Sequence, residues 1–257
     1  MSADGCSVPS VVEWKGKLMM MNACGDGRRR VYESGDKGNS WTEALGTLSR
    51  VWGNEQKSGE VEIVGSGFIT ATIDGVEDNR DVMLVTLPVY SKKDDTEVND
   101  NSKGVLHLWL TDNTHIVDIG PVSGETEDVA ASSLLYKSGD NKEELIALYE
   151  KKKGGEQPSL GMVSVLLTEQ LKRVKEVLAS WKEVDERVSK LCPTSSAKED
   201  ASTDNACTTD KITEGLVGFL SGNLSDGTWK DEYLGVNATV KEDGATVATE
   251  NPDGVTF

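Results

Sequence analysis

The sequence predicts an all-β protein interrupted by one long helix, and three features of the chain support that fold class. Nine short apolar or alternating runs, separated by turn residues, lie between residues 9 and 167, which is typical of a many-stranded β array. Residues 34–41 have the residue order of a tight hairpin turn, and residues 167–191 change to helical spacing. A second, shorter strand-like stretch follows, so the chain divides into two unequal β parts.

The predicted strands show two burial patterns. The run 105–110 alternates, with Leu106, Leu108 and Leu110 on one face, as expected for a strand with one buried face. The run 82–87 is apolar on both faces, which favours a strand in a sheet that is covered on both sides. The polar stretch 91–103 is predicted to be a solvated loop. The nine runs are 11–14, 17–21, 30–33, 68–73, 82–87, 105–110, 132–136, 144–149 and 163–167.

The sharpest motif is Ser-Gly-Asp-Lys-Gly-Asn-Ser-Trp at residues 34–41, a Ser-x-Asp-x-Gly-x-Ser/Thr-Trp pattern. We expect Asp36 to accept hydrogen bonds from turn amides and Gly38 to supply a positive φ. Ser34 and Ser40 flank the turn, and Trp41 is expected to pack the hairpin against its neighbour. The alternative is a chance turn, which the strand-like residues 31–33 before it argue against.

Residues 167–191 predict one amphipathic helix. Thr168 is suited to cap it, Glu169 suits its first turn, and Lys190 with Pro193 marks its end. A coiled-coil seam is the alternative, but an indole inside three heptads favours packing on the helix's own domain. The apolar stripe is Leu167, Leu171, Val174, Leu178, Trp181, Val184, Val188 and Leu191.

The residues after the helix predict a linker at 193–210 and then strand-like runs at 215–220, 232–240 and 246–248. A tail of about 45 residues is too short for an independent β domain.

Composition excludes several classes of partner. Forty-four acidic residues against 27 basic residues give a formal charge of -17, which repels phosphate backbones and anionic headgroups. Nucleic acid is therefore not an expected partner. The chain has no apolar run of membrane-spanning length, and its first residues lack the pattern of an export signal.

The four cysteines suggest two disulfides in an oxidising compartment. A hairpin around Lys15-Gly16 with residue 13 opposite 18 would place Cys6 opposite Cys24. Cys192 and Cys207 bracket the polar linker, and closing that loop would remove about 3 kcal/mol of unfolded-chain entropy. Four free thiols are the alternative. With two histidines and no metal-ligand spacing, the sequence gives no reason to expect zinc or any other cofactor.

Several segments, in order along the chain, resemble the trypanosomal trans-sialidase superfamily, in which the 34–41 motif is called the Asp box. The resemblance implies a partial six-bladed sialidase β-propeller at 1–167, a linking helix at 168–192, a loop at 193–210 and the start of a lectin-like (concanavalin/laminin-G-like) β-sandwich at 211–257. It also implies that the first blades and most of the sandwich are absent. The segments are Gly-Cys-Ser at 5–7, Glu-Trp-Lys-Gly-Lys-Leu at 13–18, 28–36, 41–48, Leu-His-Leu-Trp-Leu-Thr-Asp-Asn at 106–113, Ser-Ser-Leu-Leu-Tyr at 132–136 and Gly-Leu-Val-Gly-Phe-Leu-Ser at 215–221.

By this resemblance, three catalytic positions of the family have lost their chemistry. The glutamate that activates the nucleophile follows Cys-Ser before a proline, where this chain has Val8. The second arginine of the substrate-carboxylate clamp maps to Ala23, and the nucleophilic tyrosine maps to Ala131. Valine and alanine have neither a base nor a nucleophile to offer in glycoside cleavage.

Two further positions keep a polar group. The third arginine maps to Lys103, which retains the charge without the planar guanidinium fork. Glu150 matches the glutamate that orients the first arginine. Both are candidate ligand-binding residues.

Three functions follow as hypotheses. The first is a catalytically inactive, adhesin-like surface glycoprotein that binds sialylated or other host glycans, or host surface and matrix proteins. The second is an active exo-α-sialidase or trans-sialidase, and the third is a truncated product without independent function. Surface or secreted location, implied by the resemblance, would expose the sequons Asn223-Leu-Ser and Asn237-Ala-Thr to glycosylation, although two sequons can also occur by chance.

Overall fold

The structure, a computed structural model, describes residues 5–25, 29–44, 63–73, 79–90, 103–139, 142–153 and 159–189, with short stretches at 224–225, 228–229, 231–233, 235, 237–239, 249–251 and 254–256. The chain divides into two compact units, Met1–Lys175 and Glu176–Phe257. The division falls inside the helix, eight residues after the predicted domain boundary at 167/168.

The first unit is built from three antiparallel sheets, each a meander of consecutive strands. The first sheet contains β1 (Cys6–Trp14), β2 (Lys17–Cys24), β3 (Arg29–Ser34) and β4 (Thr42–Glu43). The second contains β5 (Phe68–Ile73), β6 (Arg80–Tyr90), β7 (Gly104–Thr111) and β8 (Ile116–Pro121). The third contains β9 (Val129–Gly139), β10 (Lys142–Lys153) and β11 (Ser159–Leu166).

All nine runs predicted as strands in this unit are strands, whereas β4 and β8 were missed. β4 has only two residues, too few for any alternation to show. β8 ends in Gly120 and Pro121, and Gly120 has a φ of 126°. Glycine and proline both interrupt strand patterns, so residues 116–121 did not show the apolar or alternating pattern from which the other strands were predicted.

The predicted hairpin at the start of the chain is confirmed in its register. Glu13 pairs with Leu18 across a two-residue turn in which Lys15 and Gly16 both have positive φ, 46° and 79°. Such a turn matches the twist of the flanking strands. The same register places Cys6 opposite Cys24, and a disulfide joins them with a Cα–Cα distance of 4.0 Å.

The second sheet lies between the other two, which explains why residues 82–87 are apolar on both faces. All six are buried. The second sheet contacts the first through β1 and β5, and the third through contacts of β5, β6 and β7 with β9. The first and second sheets share one apolar cluster that includes Val12, Trp14, Met19, Met21, Val31, Phe68, Met83, Val85, Leu87 and Ile116.

The predicted helix is present as α1 (Thr168–Ser189), within the expected 167–191. Its first turns belong to the first unit, where Leu171 and Val174 are buried and Gln170 donates a 2.8 Å hydrogen bond to the carbonyl of Pro121. Lys175 forms an ion pair with Glu143 at the start of β10. None of the helices among the described residues is long and apolar enough to span a membrane.

The second unit contains the rest of α1 and the short strands β12 (Leu224–Ser225), β13 (Thr228–Trp229), β14 (Ala238–Thr239), β15 (Thr249–Asn251) and β16 (Gly254–Thr256). Trp181, which is 1% exposed, donates its indole N–H to the carbonyl of Glu232 at 2.5 Å. The phenol of Tyr233 donates a 2.6 Å hydrogen bond to Asp185 of the helix. These two bonds attach the 231–235 stretch to α1.

The predicted strand at 232–240 is wrong over its first part. Asp231 accepts the amide of Tyr233 on its carboxylate at 2.9 Å and the amide of Gly235 on its carbonyl at 3.1 Å, so these residues form a turn. Of the described residues in the predicted run, Ala238 and Thr239 are the ones in a strand. The predicted runs at 215–220 and 246–248 lie outside the described residues.

Candidate functional site

The antiparallel order of each sheet brings the sequence-predicted site residues to one end of the strands. In a meander, the start of the first and third strands and the end of the second strand lie at the same end. Residues 63–67, which lead into β5, also lie at this end of the second sheet. We call it the common end. It contains Val8 in β1, Ala23 at the end of β2, Lys103 just before β7, Ala131 in β9 and Glu150 near the end of β10.

Residues 63–67 hydrogen-bond to all three sheets and thereby hold the common end together. In the first sheet, Ser10 donates to the carbonyl of Ser66 at 3.0 Å. In the second, the amide of Gly67 donates to the hydroxyl of Thr86 at 3.0 Å. In the third, the amide of Ser132 donates to the carbonyl of Gly65 at 3.0 Å.

Val8 and Ala131 both lie next to Gly65. A Cβ atom placed on Gly65 would lie 3.4 Å from Cγ1 of Val8 and 3.9 Å from Cβ of Ala131. Val8 has a φ of 53° at an irregularity in the β1–β2 register and is 43% exposed. The two positions therefore meet as a valine and an alanine, neither of which can transfer a proton or attack a glycosidic carbon.

Ala23 is buried, and its cross-strand neighbour is Arg29 of β3. Arg29 donates a 2.9 Å hydrogen bond from a terminal guanidinium nitrogen to the carbonyl of Val64. Burial lowers the pKa of Arg29 to about 10, a shift that the nearby Tyr90 opposes. The guanidinium remains charged at neutral pH, so this end of the first sheet has a cation beside Ala23.

The sequence analysis missed Arg29, although a signal was present. Val31 in β3 faces the core and is fully buried, and side chains in a strand alternate. Arg29 therefore lies on the core-facing side, at the end of the strand, whereas Arg30 faces the other way and approaches Glu43 at 4.0 Å. In the sequence, Arg29 and Arg30 belong to one run of three arginines at 28–30, and the opposite directions of their side chains were overlooked.

Lys103 and Glu150 are both at the common end, on different sheets. Lys103 is exposed and precedes Gly104, whose amide donates a 3.0 Å hydrogen bond to Asp128. Glu150 is half-exposed and lies opposite Met162 of β11, on the side of the third sheet that faces away from the second sheet. Their proposed role in ligand binding stays a prediction.

A tyrosine–glutamate pair is also present at the common end. Tyr149 is buried and donates its phenol proton to Glu127 at 2.8 Å, and Lys151 donates to the same carboxylate at 2.6 Å. Burial, together with the hydrogen bond and charge of Glu127, raises the pKa of Tyr149 to about 12. The hydrogen bonds from Lys151 and Tyr149 lower the pKa of Glu127. At neutral pH the pair is a protonated phenol that donates to a carboxylate, and Lys151 shares that carboxylate.

The Asp box lies at the opposite end of the first sheet, between β3 and β4. The carboxylate of Asp36 accepts the amide of Ser40 at 2.8 Å, its hydroxyl at 2.6 Å and the hydroxyl of Ser34 at 2.8 Å. The Ser40 hydroxyl and amide, and then Ser34, lower the pKa of Asp36 to about 2. Gly38 has a φ of 89°, and Trp41 donates its indole N–H back to the Gly38 carbonyl at 3.1 Å. The motif therefore shapes a turn, away from the common end.

The turn between β7 and β8 occupies the corresponding place in the second sheet, and the sequence analysis missed it. Asp112 accepts the amides of Thr114 and His115 at 3.0 and 2.7 Å and the His115 ring nitrogen at 2.9 Å. Arg80 donates to the same carboxylate at 2.5 Å. Burial alone would raise the pKa of Asp112, but the His115 hydrogen bonds and the charges of His115 and Arg80 hold it well below its usual range. The hydrogen bonds of this cluster close the turn.

The remaining predicted sites are only partly within the described residues. Asn237 is exposed, and its side-chain oxygen accepts the amide of Asp231 at 3.0 Å. Asn223, Cys192 and Cys207 lie outside the described residues. Within the described part of the chain, no group of three or more acidic, histidine or cysteine side chains is placed to hold a metal ion.

Comparisons with known proteins identify the family of the chain. Residues 1–150 match the family model of the BNR repeat-like domain, and residues 212–257 match that of the trans-sialidase C-terminal domain. The chain belongs to the trans-sialidase/sialidase superfamily. It is 35% identical over 253 residues to "Sialidase 85-1.1" of Trypanosoma cruzi and 40% identical over 178 residues to a second T. cruzi sialidase.

Solved sialidases have the same fold over nearly the whole chain. Trypanosoma rangeli sialidase in complex with 2,3-difluoro-KDN matches with a TM-score of 0.70 and 37% identity over 100% of the chain. The T. rangeli enzyme in complex with sialic acid matches with a TM-score of 0.66 and 37% identity over 98%. The chain spans 28% and 14% of the two curated sialidases, and 37% and 36% of the two solved chains.

Proposed function

We propose that this chain is a catalytically inactive sialidase-like module of a secreted or surface glycoprotein and that it binds sialylated glycans without cleaving them. The placement of Val8 and Ala131 on either side of Gly65 is the observation that supports this most directly, since a Cβ on Gly65 would lie within 4 Å of both side chains. The two positions converge, as a nucleophile and its activator would need to, but neither side chain has a lone pair or an acidic proton.

Arg29 supports the binding part of the proposal. A sialic acid carries a carboxylate, and a guanidinium is the protein group best suited to bind it. Arg29 is next to Ala23 and is linked through Val64 to residues 63–67. Lys103 at the same end adds a second positive charge. We propose that Arg29, with Lys103, holds the substrate carboxylate that the lost arginine would otherwise clamp.

An active exo-α-sialidase is the second candidate, because the relatives are described as sialidases and because Arg29 and the Tyr149–Glu127 pair keep some of the required residue types. The burial of Tyr149, which is 3% exposed, argues against it, because a nucleophile must be open to the substrate. Host surface or matrix proteins are the other proposed partners of an inactive module.

Saturation-transfer NMR with 3′-sialyllactose tests the proposal. We expect saturation of the sialyl protons with the wild-type chain, loss of that signal with Arg29→Ala, and no free sialic acid after prolonged incubation. Arg30→Ala is the matched control, since it removes the neighbouring guanidinium from the opposite face of β3. Equal binding by both variants would exclude Arg29 from the site, and release of sialic acid would favour the active enzyme.

A further inference from the structure

The disulfide between Cys6 and Cys24 lies at the common end, where it joins the start of β1 to the end of β2. The two cysteines are directly opposite each other in the strand register, and their Cα atoms are 4.0 Å apart. Cys24 is 5% exposed, whereas Cys6 is half-buried. Cys6 is therefore the more accessible of the two to a thiol in solution.

Two further contacts hold the same end of β1 to β2. Ser7 pairs with Ala23, and the amide of Gly25 donates a 3.0 Å hydrogen bond to the carbonyl of Gly5. Each contact involves residues next to a cysteine of the disulfide. The disulfide is thus the covalent part of one short paired segment, in which residues 5–7 lie against residues 23–25.

Val8, which follows this segment, has a strained backbone. Its φ of 53° lies in the left-handed region, which a β-branched residue rarely adopts, and Pro9 after it favours an extended conformation instead. The register of β1 and β2 shifts at this point, and Ser10 beyond the shift is fixed by its hydrogen bond to residues 63–67. Release of residues 5–7 would therefore let Val8 relax while the rest of β1 stays in place.

Residues 63–65 contact the paired segment at two places. A Cβ atom on Gly65 would lie 3.4 Å from Cγ1 of Val8, and a Cβ atom on Gly25 would lie 4.0 Å from Cδ1 of Ile63. The paired segment therefore helps to fix the position of residues 63–65.

The residue between these two contacts, Val64, is the anchor of Arg29. Its carbonyl accepts the 2.9 Å hydrogen bond from the Arg29 guanidinium, and Arg29 pairs with Ala23 in the strand register. A movement of the paired segment would therefore act on Arg29 from two directions, through Val64 and through the end of β2.

We propose that the Cys6–Cys24 disulfide is a redox-controlled clamp on the common end. Its reduction by a dithiol releases residues 5–8, loosens residues 63–65 and weakens the binding of an acidic glycan at Arg29. The first two steps concern the chain alone, and the last step rests on the function proposed above.

The reduction is an ordinary thiol–disulfide exchange. A thiolate of the dithiol attacks Sγ of Cys6 and breaks the S–S bond, and Cys24 leaves as a thiolate that takes a proton from water. The second sulfur of the dithiol then attacks the first, so that Cys6 leaves in the same way and the reagent becomes a cyclic disulfide. The protein gains two electrons and two protons, and the dithiol loses the same number.

Amide hydrogen exchange of the full 257-residue chain, with and without dithiothreitol, tests the clamp in the absence of any ligand. The reporter is the Gly25 amide, which is bonded to the Gly5 carbonyl and should exchange at least about tenfold faster after reduction. The Ala44 amide, bonded to the Val31 carbonyl in the same sheet, should not change. Mass spectrometry of alkylated protein checks that Cys6 and Cys24 are reduced.

Two double variants separate this disulfide from the other cysteines. Cys6→Ser with Cys24→Ser should show fast exchange at Gly25 under both conditions, because it cannot form the clamp. Cys192→Ser with Cys207→Ser is the matched control and should respond to dithiothreitol as the wild-type chain does. Slow exchange at the buried residues 82–87 checks that each protein remains folded.

Saturation-transfer titration with 3′-sialyllactose tests the last step of the proposal. Reduction should weaken binding by about fivefold or more, as expected when two sites are coupled. Equal binding by the oxidised and reduced chains would overturn the coupling to Arg29. Absence of binding in both states would contradict the proposed function instead, and the exchange measurement would still decide whether the clamp exists.

Three results would overturn the clamp itself. The first is a reduced chain in which Gly25 exchanges as slowly as in the oxidised chain. The second is fast exchange at residues 82–87 after reduction, which would make the disulfide a crosslink on which the whole unit depends. The third is a disulfide that stays intact in the folded chain under excess dithiothreitol.

Discussion

Gly67 has no room for a side chain, so Gly67→Ala is expected to destabilise the first unit. The added Cβ would lie 2.6 Å from the hydroxyl oxygen of Thr86, 2.9 Å from Cγ of Leu134 and 3.0 Å from the Leu134 amide nitrogen. The last of these is a backbone atom, so a side-chain rotation cannot relieve the contact. Overpacking of this kind costs about 1–3 kcal/mol, and the loss of the Gly67–Thr86 hydrogen bond adds about 1 kcal/mol.

Urea unfolding followed by circular dichroism measures this cost, which we expect to be about 2–4 kcal/mol. Gly139→Ala is the control, because no heavy atom lies within 4 Å of the Cβ that it would add. Adding Thr86→Ala to Gly67→Ala removes the nearest of the three contacts, so the double variant should cost less than the sum of the single changes. A Gly67→Ala protein as stable as the Gly139→Ala protein would refute the close approach of the second and third sheets at the common end.

Three further predictions concern other parts of the molecule. Asp112→Asn should cost about 2–4 kcal/mol at pH 7. Because the pKa of Asp112 is depressed in the folded state, its contribution to the free energy of unfolding is present above about pH 4 and is lost as the pH falls. Urea unfolding at pH 7, 5 and 3 should therefore show a decreasing difference in stability between the wild-type and Asp112→Asn proteins. Trp181→Phe removes the hydrogen bond to Glu232, so it should lower the free energy of unfolding by about 1–2 kcal/mol and speed amide hydrogen exchange at 231–235. Ser180→Ala, at an exposed position of the same helix, should change neither the stability nor the exchange rate. Asn237 in native protein should carry a glycan, seen as deamidation by peptide-N-glycosidase, and an unmodified Asn237 would argue against passage through the secretory route.

The strands were predictable from sequence because alternation and turn residues leave a local signal. Leu106, Leu108 and Leu110 alternate with half-exposed neighbours, and Lys15-Gly16 fixes the first hairpin to a single register. The turn at 231–235 was not predictable, because Asp231 converts a strand-like sequence into a turn through its own side chain and carbonyl. Local hydrogen bonding of this kind competes with strand pairing.

The candidate site was predictable as a set of positions but not as a set of contacts. The resemblance to a family identified Val8, Ala23 and Ala131, whereas the placement of Val8 and Ala131 beside residues 63–67 depends on contacts between residues up to 67 positions apart. Arg29 was missed because the arginines at 28–30 were treated as one run, although strand alternation from Val31 places Arg29 on the core-facing side. Asp112 and His115 were missed because only the fold shows that their turn occupies the place of an Asp box in the next sheet.

Sialoside hydrolysis is the most direct test of the proposed function. A fluorogenic sialoside, with Trypanosoma rangeli sialidase as the positive control, should show no turnover by the wild-type chain above the buffer rate. Ala131→Tyr should also be inactive, because Val8 still offers no carboxylate to activate the new phenol. Turnover by the wild-type chain that is abolished by Arg29→Ala or Tyr149→Phe, and retained by Arg30→Ala, would contradict the account and identify an active sialidase.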